Sequence, residues 1–152
     1  MRLRTTATWF VCTVSKETPH NWDLAKAAAV WGIPTNGRKV NLGQTQKGDY
    51  LLFYLASKGF FALAETTAPM KMPASKEEAP WAGGIFRYGA VIPMKILLEL
   101  DVPMKKAFVE NKIEGTSIAA NMLRRGFAQI SNHDGVIAAE ALISEKTNQR
   151  RK

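Results

Sequence analysis

The sequence predicts an α+β domain built on an antiparallel, barrel-like sheet, with helices at its ends and on one flank. Three observations predict it. Strand-like runs succeed one another as a meander, Pro/Gly-rich turns separate them, and the helix-like stretches fall near the two ends of the chain. Its 152 residues fit one domain, taken here as residues 1–145 with a basic, flexible tail at 146–152. A domain of this size hides about 68–70% of its unfolded surface, so no metal or disulfide staple is required.

The elements follow in order. TWFVCTV, residues 8–14, is β-branched and aromatic and reads as a buried strand. After the polar SKETPH, Asn21 is placed to cap a helix, with Asp23 in the first turn facing the positive end of the dipole. Leu24, Ala28 and Trp31 fall on one helical face, and Gly32 with Pro34 marks the stop. DYLLFYLA and GFFALAETT, joined by SKG, form the clearest hairpin in the chain. Residues 69–84, with three prolines, read as a long loop. FRYGAVIPMKILLEL is a further strand, bent or at an edge near Pro93. VPMKKAFVENK reads as a short helix with Pro103 in its first turn, and SIAANMLRR as another ending at Gly126. Ser131 and Asp134 stand at capping-box spacing before IAAEALISEK, the last helix.

Twenty-one Lys and Arg against thirteen Asp and Glu give a net charge of +8. Such a surplus favours polyanions through counterion release and steering. Part of it sits in the tail EKTNQRRK; the rest is spread over Lys16, Arg38, Lys39, Lys47, Lys58, Arg87, Arg124 and Arg125. The single cysteine, Cys12, has no partner for an internal bridge, which fits a reducing cytoplasmic setting. The basic N-terminus lacks the apolar core and cleavage site of a secretory signal, and no apolar run reaches the ~20 residues that span a bilayer. No membrane association is expected.

Catalysis has little to draw on. Cys12 lies mid-strand, where a lone thiol reads as inert core. Asn132-His133-Asp134 resembles part of a metal phosphohydrolase signature, but no aspartate follows Asp134 to complete a metal shell. Zinc is no better supplied by one Cys and two distant His. GQTQKGD lacks the Gly-Lys-Ser/Thr ending of a phosphate loop, and Glu77 and Glu78 stand in a loop apart from other acids. The expectation is a protein that is not an enzyme, with no cofactor and no metal.

Binding has more. Trp9, Trp22, Trp31 and Trp81 are four large rings in a small chain, and Trp81 projects from the Pro/Gly-rich loop. Core filling and a wall for a flat ligand are both open for each ring taken alone.

The ordered set WFVCTV, NWDLAKAAAVWGIP, KGDYLLFY and GFFALAE resembles the EVE domain, a branch of the PUA-like superfamily related to the YTH readers of N6-methyladenine. The likeness covers the N-terminal two thirds and extends to the Pro-rich loop, WAGG and the strand after it. SIAANMLRRGFAQIS and IAAEALI are similar in character to the helical region that ends EVE proteins. The resemblance implies a PUA-like antiparallel or mixed β-barrel flanked by helices, with a pocket for one extruded base. It places Trp31 and Trp81 as cage walls, Asn21 on the base edge, and the main chain of Gly32 against the exocyclic amine. Ser15 falls where the YTH readers carry another base-contacting asparagine; a serine is shorter and lacks the paired amide donor and acceptor, so strict selectivity is not implied. Two facing indoles would hold a ring between them, and Trp22 is assigned to the core. Lys16, Arg38 and Lys39 are assigned to flanking phosphates.

The expected function is a non-catalytic reader of a modified, methylated base in DNA or RNA. The alternative is a general RNA-binding module in translation or RNA modification, without preference for a modified base. Any nuclease or other effector would be a separate protein.

Overall fold

The hairpin around Ser57 organises the sheet. Strand β3 (Tyr50–Leu55) turns through Ser57, which takes a positive φ of 66°, into β4 (Gly59–Thr66). Gly59 is needed there for two reasons: its φ is +127°, and a Cβ would run into the main chain of Met104. The structure, a computed structural model, describes residues 2–4 and 6–150. On one side of the hairpin, β1 (Trp9–Val14) runs parallel to β3, in register from Trp9↔Tyr50 to Val14↔Leu55. On the other, β5 (Ala90–Met104) runs antiparallel to β4. Strands β2 (Val30–Ile33) and β8 (Phe127–Ile130) complete a six-stranded mixed sheet in the order β2-β5-β4-β3-β1-β8. The sheet curls into a half-barrel with β2 and β8 at its edges, in line with the α+β, barrel-like sheet flanked by helices that the sequence predicts.

Both faces of this sheet are covered, which is why β1, β3 and β4 are apolar almost without interruption instead of alternating. Phe10, Cys12, Leu51, Phe53, Ala62 and Ala64 point into one core with Trp22, Trp31 and Trp81. That core lies beneath α1 (His20–Ala28), β2 and the loop that ends in the short α2 (Gly84–Arg87). Trp9, Val11, Tyr50, Leu52 and Leu63 point into the other core. It is closed by α3 (Ala120–Arg124) and α4 (Asn132–Arg150). Gly135 lets α4 lie directly on the Trp9 indole, where any Cβ would collide with the ring. The Ser131 hydroxyl caps α4 by accepting from the Asp134 N–H at 3.1 Å, half of the expected capping box. The Asp134 carboxylate turns instead to the Ser117 N–H at 3.0 Å.

Strand β5 serves two partners. Residues 90–93 pair with β2 and residues 94–104 with β4. The handover falls at Pro93, which has no N–H to give to a continuous ladder, so the bend read from the sequence is where the strand changes partner.

Three local expectations are corrected. The first helix begins at His20 with Pro19 as its cap and ends at Ala28, so Asn21 is a first-turn residue and not the cap. Ala29 adopts the left-handed conformation (φ 56°, ψ 37°), and the β-branched and aromatic Val30, Trp31 and Ile33 then form β2. Trp31 therefore stands on a strand, and its helical spacing from Leu24 and Ala28 is coincidental. Residues 102–112 form no helix. Here β5 runs to Met104, and β6 (Phe108–Val109) pairs with β7 (Lys112–Ile113) across Glu110 and Asn111, both at positive φ as a two-residue hairpin turn requires. Residues 146–150, expected in a free tail, continue α4; Lys146 Nζ donates to the Glu99 carbonyl at 2.8 Å and Gln149 Nε2 to the Val102 carbonyl at 2.9 Å. Residues 151 and 152 of that tail lie outside the described residues. Among the described residues no helix is long and apolar enough to cross a membrane.

Candidate nucleic-acid interface

A hollow of ≈ 170 Å³ opens where the C-terminal end of β1, the start of α1, β2 and the Trp81 loop converge. Trp31, Trp81 and Tyr88 give it apolar walls, Asn21, Thr18 and Ser15 give it polar groups, and the main chain of Gly32 to Pro34 passes along it. Arg87 is its charged lining residue, and no carboxylate lines it among the described residues.

Each wall is held for an identifiable reason. Trp31 is 8% exposed and packs edge-on to Phe53 at 5.2 Å between ring centroids. Its strand is fixed by pairing with β5, Trp31 opposite Ile92. Trp81, 3% exposed, donates its indole N–H to the main-chain carbonyl of Asn21 at 3.0 Å. This bond ties the long loop to the first turn of α1. Tyr88 backs the Trp81 ring at 5.0 Å, and the Arg87 guanidinium sits 5.4 Å over the Tyr88 ring. Gly32 is demanded by the contact: a Cβ there would stand 2.5 Å from Trp81 Cζ3 and 2.9 Å from Cε3 and Cη2. The face of Trp81 thus rests on bare backbone.

The two indoles do not face each other as parallel plates. Their centroids are 6.4 Å apart with planes at 70°, so Trp31 and Trp81 meet as a corner. A flat ligand between them would meet two rings set at an angle, not a pair of parallel plates. The Asn21 amide nitrogen donates to Thr18 Oγ1 at 3.3 Å, and among the described residues no donor meets the amide oxygen. Ser15 Oγ accepts from the Glu17 N–H at 3.2 Å.

Of the residues singled out in the sequence, Ser15, Asn21, Trp31, Gly32 and Trp81 come together around this hollow, whereas Lys16, Arg38 and Lys39 are exposed and do not line it. Arg38 lies on the segment next to α2, for the N–H groups of Thr35 and Asn36 both bond to the Arg87 carbonyl. Trp22 is core, its indole N–H donating to Glu99 Oε2 at 2.9 Å. Arg87, Tyr88, Thr18 and Gly126 were not singled out as site residues. Arg-Tyr two residues past the WAGG turn is the signal that could have found two of them; Gly126 lies beside the hollow next to β1, its carbonyl accepting from the Thr13 N–H at 2.9 Å, a contact that no local pattern shows.

Cys12 is fully buried, and burial pushes its thiol far above the ordinary range. Among the described residues no group of three or more His, Cys, Asp or Glu side chains could hold a metal ion.

Solved structures place this arrangement in context. A YTH domain of the Zygosaccharomyces rouxii MRB1 protein, in complex with N6-methyladenosine RNA, superposes with a TM-score of 0.61 at 16% identity, covering 96% of this chain and 88% of its own. The fold is YTH-like. The YTH domain-containing protein mmi1, in a complex with RNA, gives a TM-score of 0.66 at 11% identity over 99% of this chain and 90% of its own. A hypothetical protein from Leishmania major gives 0.63 at 17% identity over 92% and 97%. No protein-family model and no curated protein matches the sequence.

Proposed function

We propose that this YTH-like chain is a non-catalytic reader that captures one modified, methylated base of a nucleic acid in the hollow between Trp31 and Trp81. The observation that carries the reading is the convergence of two indoles and a phenol with the Asn21 amide around a space of ≈ 170 Å³, free of carboxylates and edged by Arg87. An apolar cavity of roughly 150 Å³ takes up benzene, so this space suits a single flat heterocycle. Stacking on an aromatic ring contributes about 1–3 kcal/mol per base, comparable to the few kcal/mol needed to take a base from its stack. A methyl group adds apolar contact against the indoles without adding charge, and the Asn21 amide oxygen can accept from a base edge. Arg87 would meet an adjacent phosphate, with the exposed Lys16, Arg38 and Lys39 further out. The Zygosaccharomyces rouxii domain in complex with N6-methyladenosine RNA supports both the class of ligand and the choice of first probe.

The test is a titration of the protein with matched oligonucleotides, RNA and DNA, carrying N6-methyladenine, 5-methylcytosine or neither. Preferred binding of one methylated strand, lost in Trp31→Ala, is the expected result. Equal affinity for all strands, insensitive to Trp31, removes the reading. The corner geometry of the indoles and the short Ser15 favour, as a second reading, an RNA-binding module indifferent to methylation; it predicts that equal affinity together with a steep salt dependence.

A further inference from the structure

A second hollow of ≈ 500 Å³ adjoins the first, and Thr13, Ser15 and Gly126 line both. Its far side carries Tyr54, Leu123, Arg124 and Phe108. We infer that this groove takes the nucleotide next to the captured base, with Phe108 as the surface on which that neighbouring base stacks and Arg124 against its phosphate. The inference rests on the reading of the Trp31–Trp81 hollow as a base pocket.

Three observations support it. Phe108 is 45% exposed on the β6–β7 hairpin, and among the described residues no other ring packs on it, so an aromatic face is free. Tyr54 supplies a second aromatic surface, largely buried and held edge-on to Phe60 at 5.1 Å. The charge suits a phosphodiester, since Arg124 lines the groove and no carboxylate does among the described residues. Stacking platforms beside a cationic groove bind successive bases with little regard to sequence, so any base should be accepted here.

The experiment compares N6-methyladenosine as a free nucleoside with di- and trinucleotides extended on its 5′ or 3′ side, each also made with an abasic flanking residue. Wild-type protein should gain about ten-fold in affinity on extension to one side, and the abasic strand should forfeit most of that gain. Phe108→Ala should abolish the gain while leaving nucleoside affinity unchanged, and Phe108→Trp should retain it. Arg124→Gln should lower the salt slope for the extended strand. A gain that survives Phe108→Ala or the abasic substitution, or no gain on either side, overturns the groove while the pocket reading stands. Binding that ignores Trp31→Ala for every ligand overturns both.

Discussion

Gly32→Ala tests the packing that shapes the pocket, because the sign of its effect is informative. In a strand, glycine is ordinarily less stable than alanine by roughly 0.5–1 kcal/mol, so a neutral site would gain stability from the change. Here the new Cβ would stand 2.5 Å from Trp81 Cζ3, against the 3.4 Å at which ordinary contact begins, so the ring must retreat by about 0.9 Å. It has little room, with Tyr88 at 5.0 Å and Trp31 at 6.4 Å between centroids and its N–H committed to the Asn21 carbonyl. Overpacking of this kind costs about 1–3 kcal/mol, and loss of the indole hydrogen bond adds about 0.5–1.5. A net loss of about 2–3 kcal/mol would lower Tm by roughly 5–10 °C in a domain of this size. Urea and thermal unfolding of the purified variant measure it, and in a Trp81→Leu background, itself less stable for want of the buried indole, the added Gly32→Ala should cost much less than it does beside Trp81. Affinity for the methylated strand should fall more than ten-fold, since Trp81 is displaced from the wall. A Gly32→Ala protein as stable as the wild type, or more so, would refute the account of why glycine stands at 32.

Three further outcomes are expected. Trp31→Ala should weaken capture of the methylated strand more than ten-fold, whereas Lys39→Ala, exposed and outside the lining, should mainly reduce the salt slope by about one; titrations at three salt concentrations on variants verified as folded separate the two. Cys12, buried in β1 with its thiol pushed up by burial, should react with a thiol reagent only as fast as the protein unfolds, and rapid labelling of native protein would contradict its place in the core. Ser131→Ala removes the hydroxyl that caps α4 and should cost about 0.5–2 kcal/mol in chemical denaturation, with no effect on ligand binding.

What was legible in the sequence follows from where the physics is local. The β3–β4 hairpin and the buried β1 announce themselves through long apolar runs and a short turn, and α4 through its Ser131 cap. The end of α1 was not legible, because an alanine at 29 takes a conformation usually left to glycine or asparagine, and Trp31 happened to continue the helical spacing. The β6–β7 hairpin was hidden for a similar reason: Glu110 is not a turn-forming residue, and Lys-rich flanks imitate a solvated helix. Strand β8 is four residues long and lies at an edge, too short for any period to show. Asn21, Trp31, Gly32 and Trp81 line one hollow, and it was the resemblance that had ordered them along the chain as candidates. Arg87 could not be told from the other scattered cations until the pairing of residues 35–37 with the α2 segment placed it at the rim.

The two ties on the pocket walls bear on how a ligand would be taken up. Trp31 is locked into a ladder and Trp81 is moored to the Asn21 carbonyl, so the recess exists before anything enters it. Little chain entropy is then surrendered on association, and the strand's own unstacking, not an opening of the protein, would set the pace of capture.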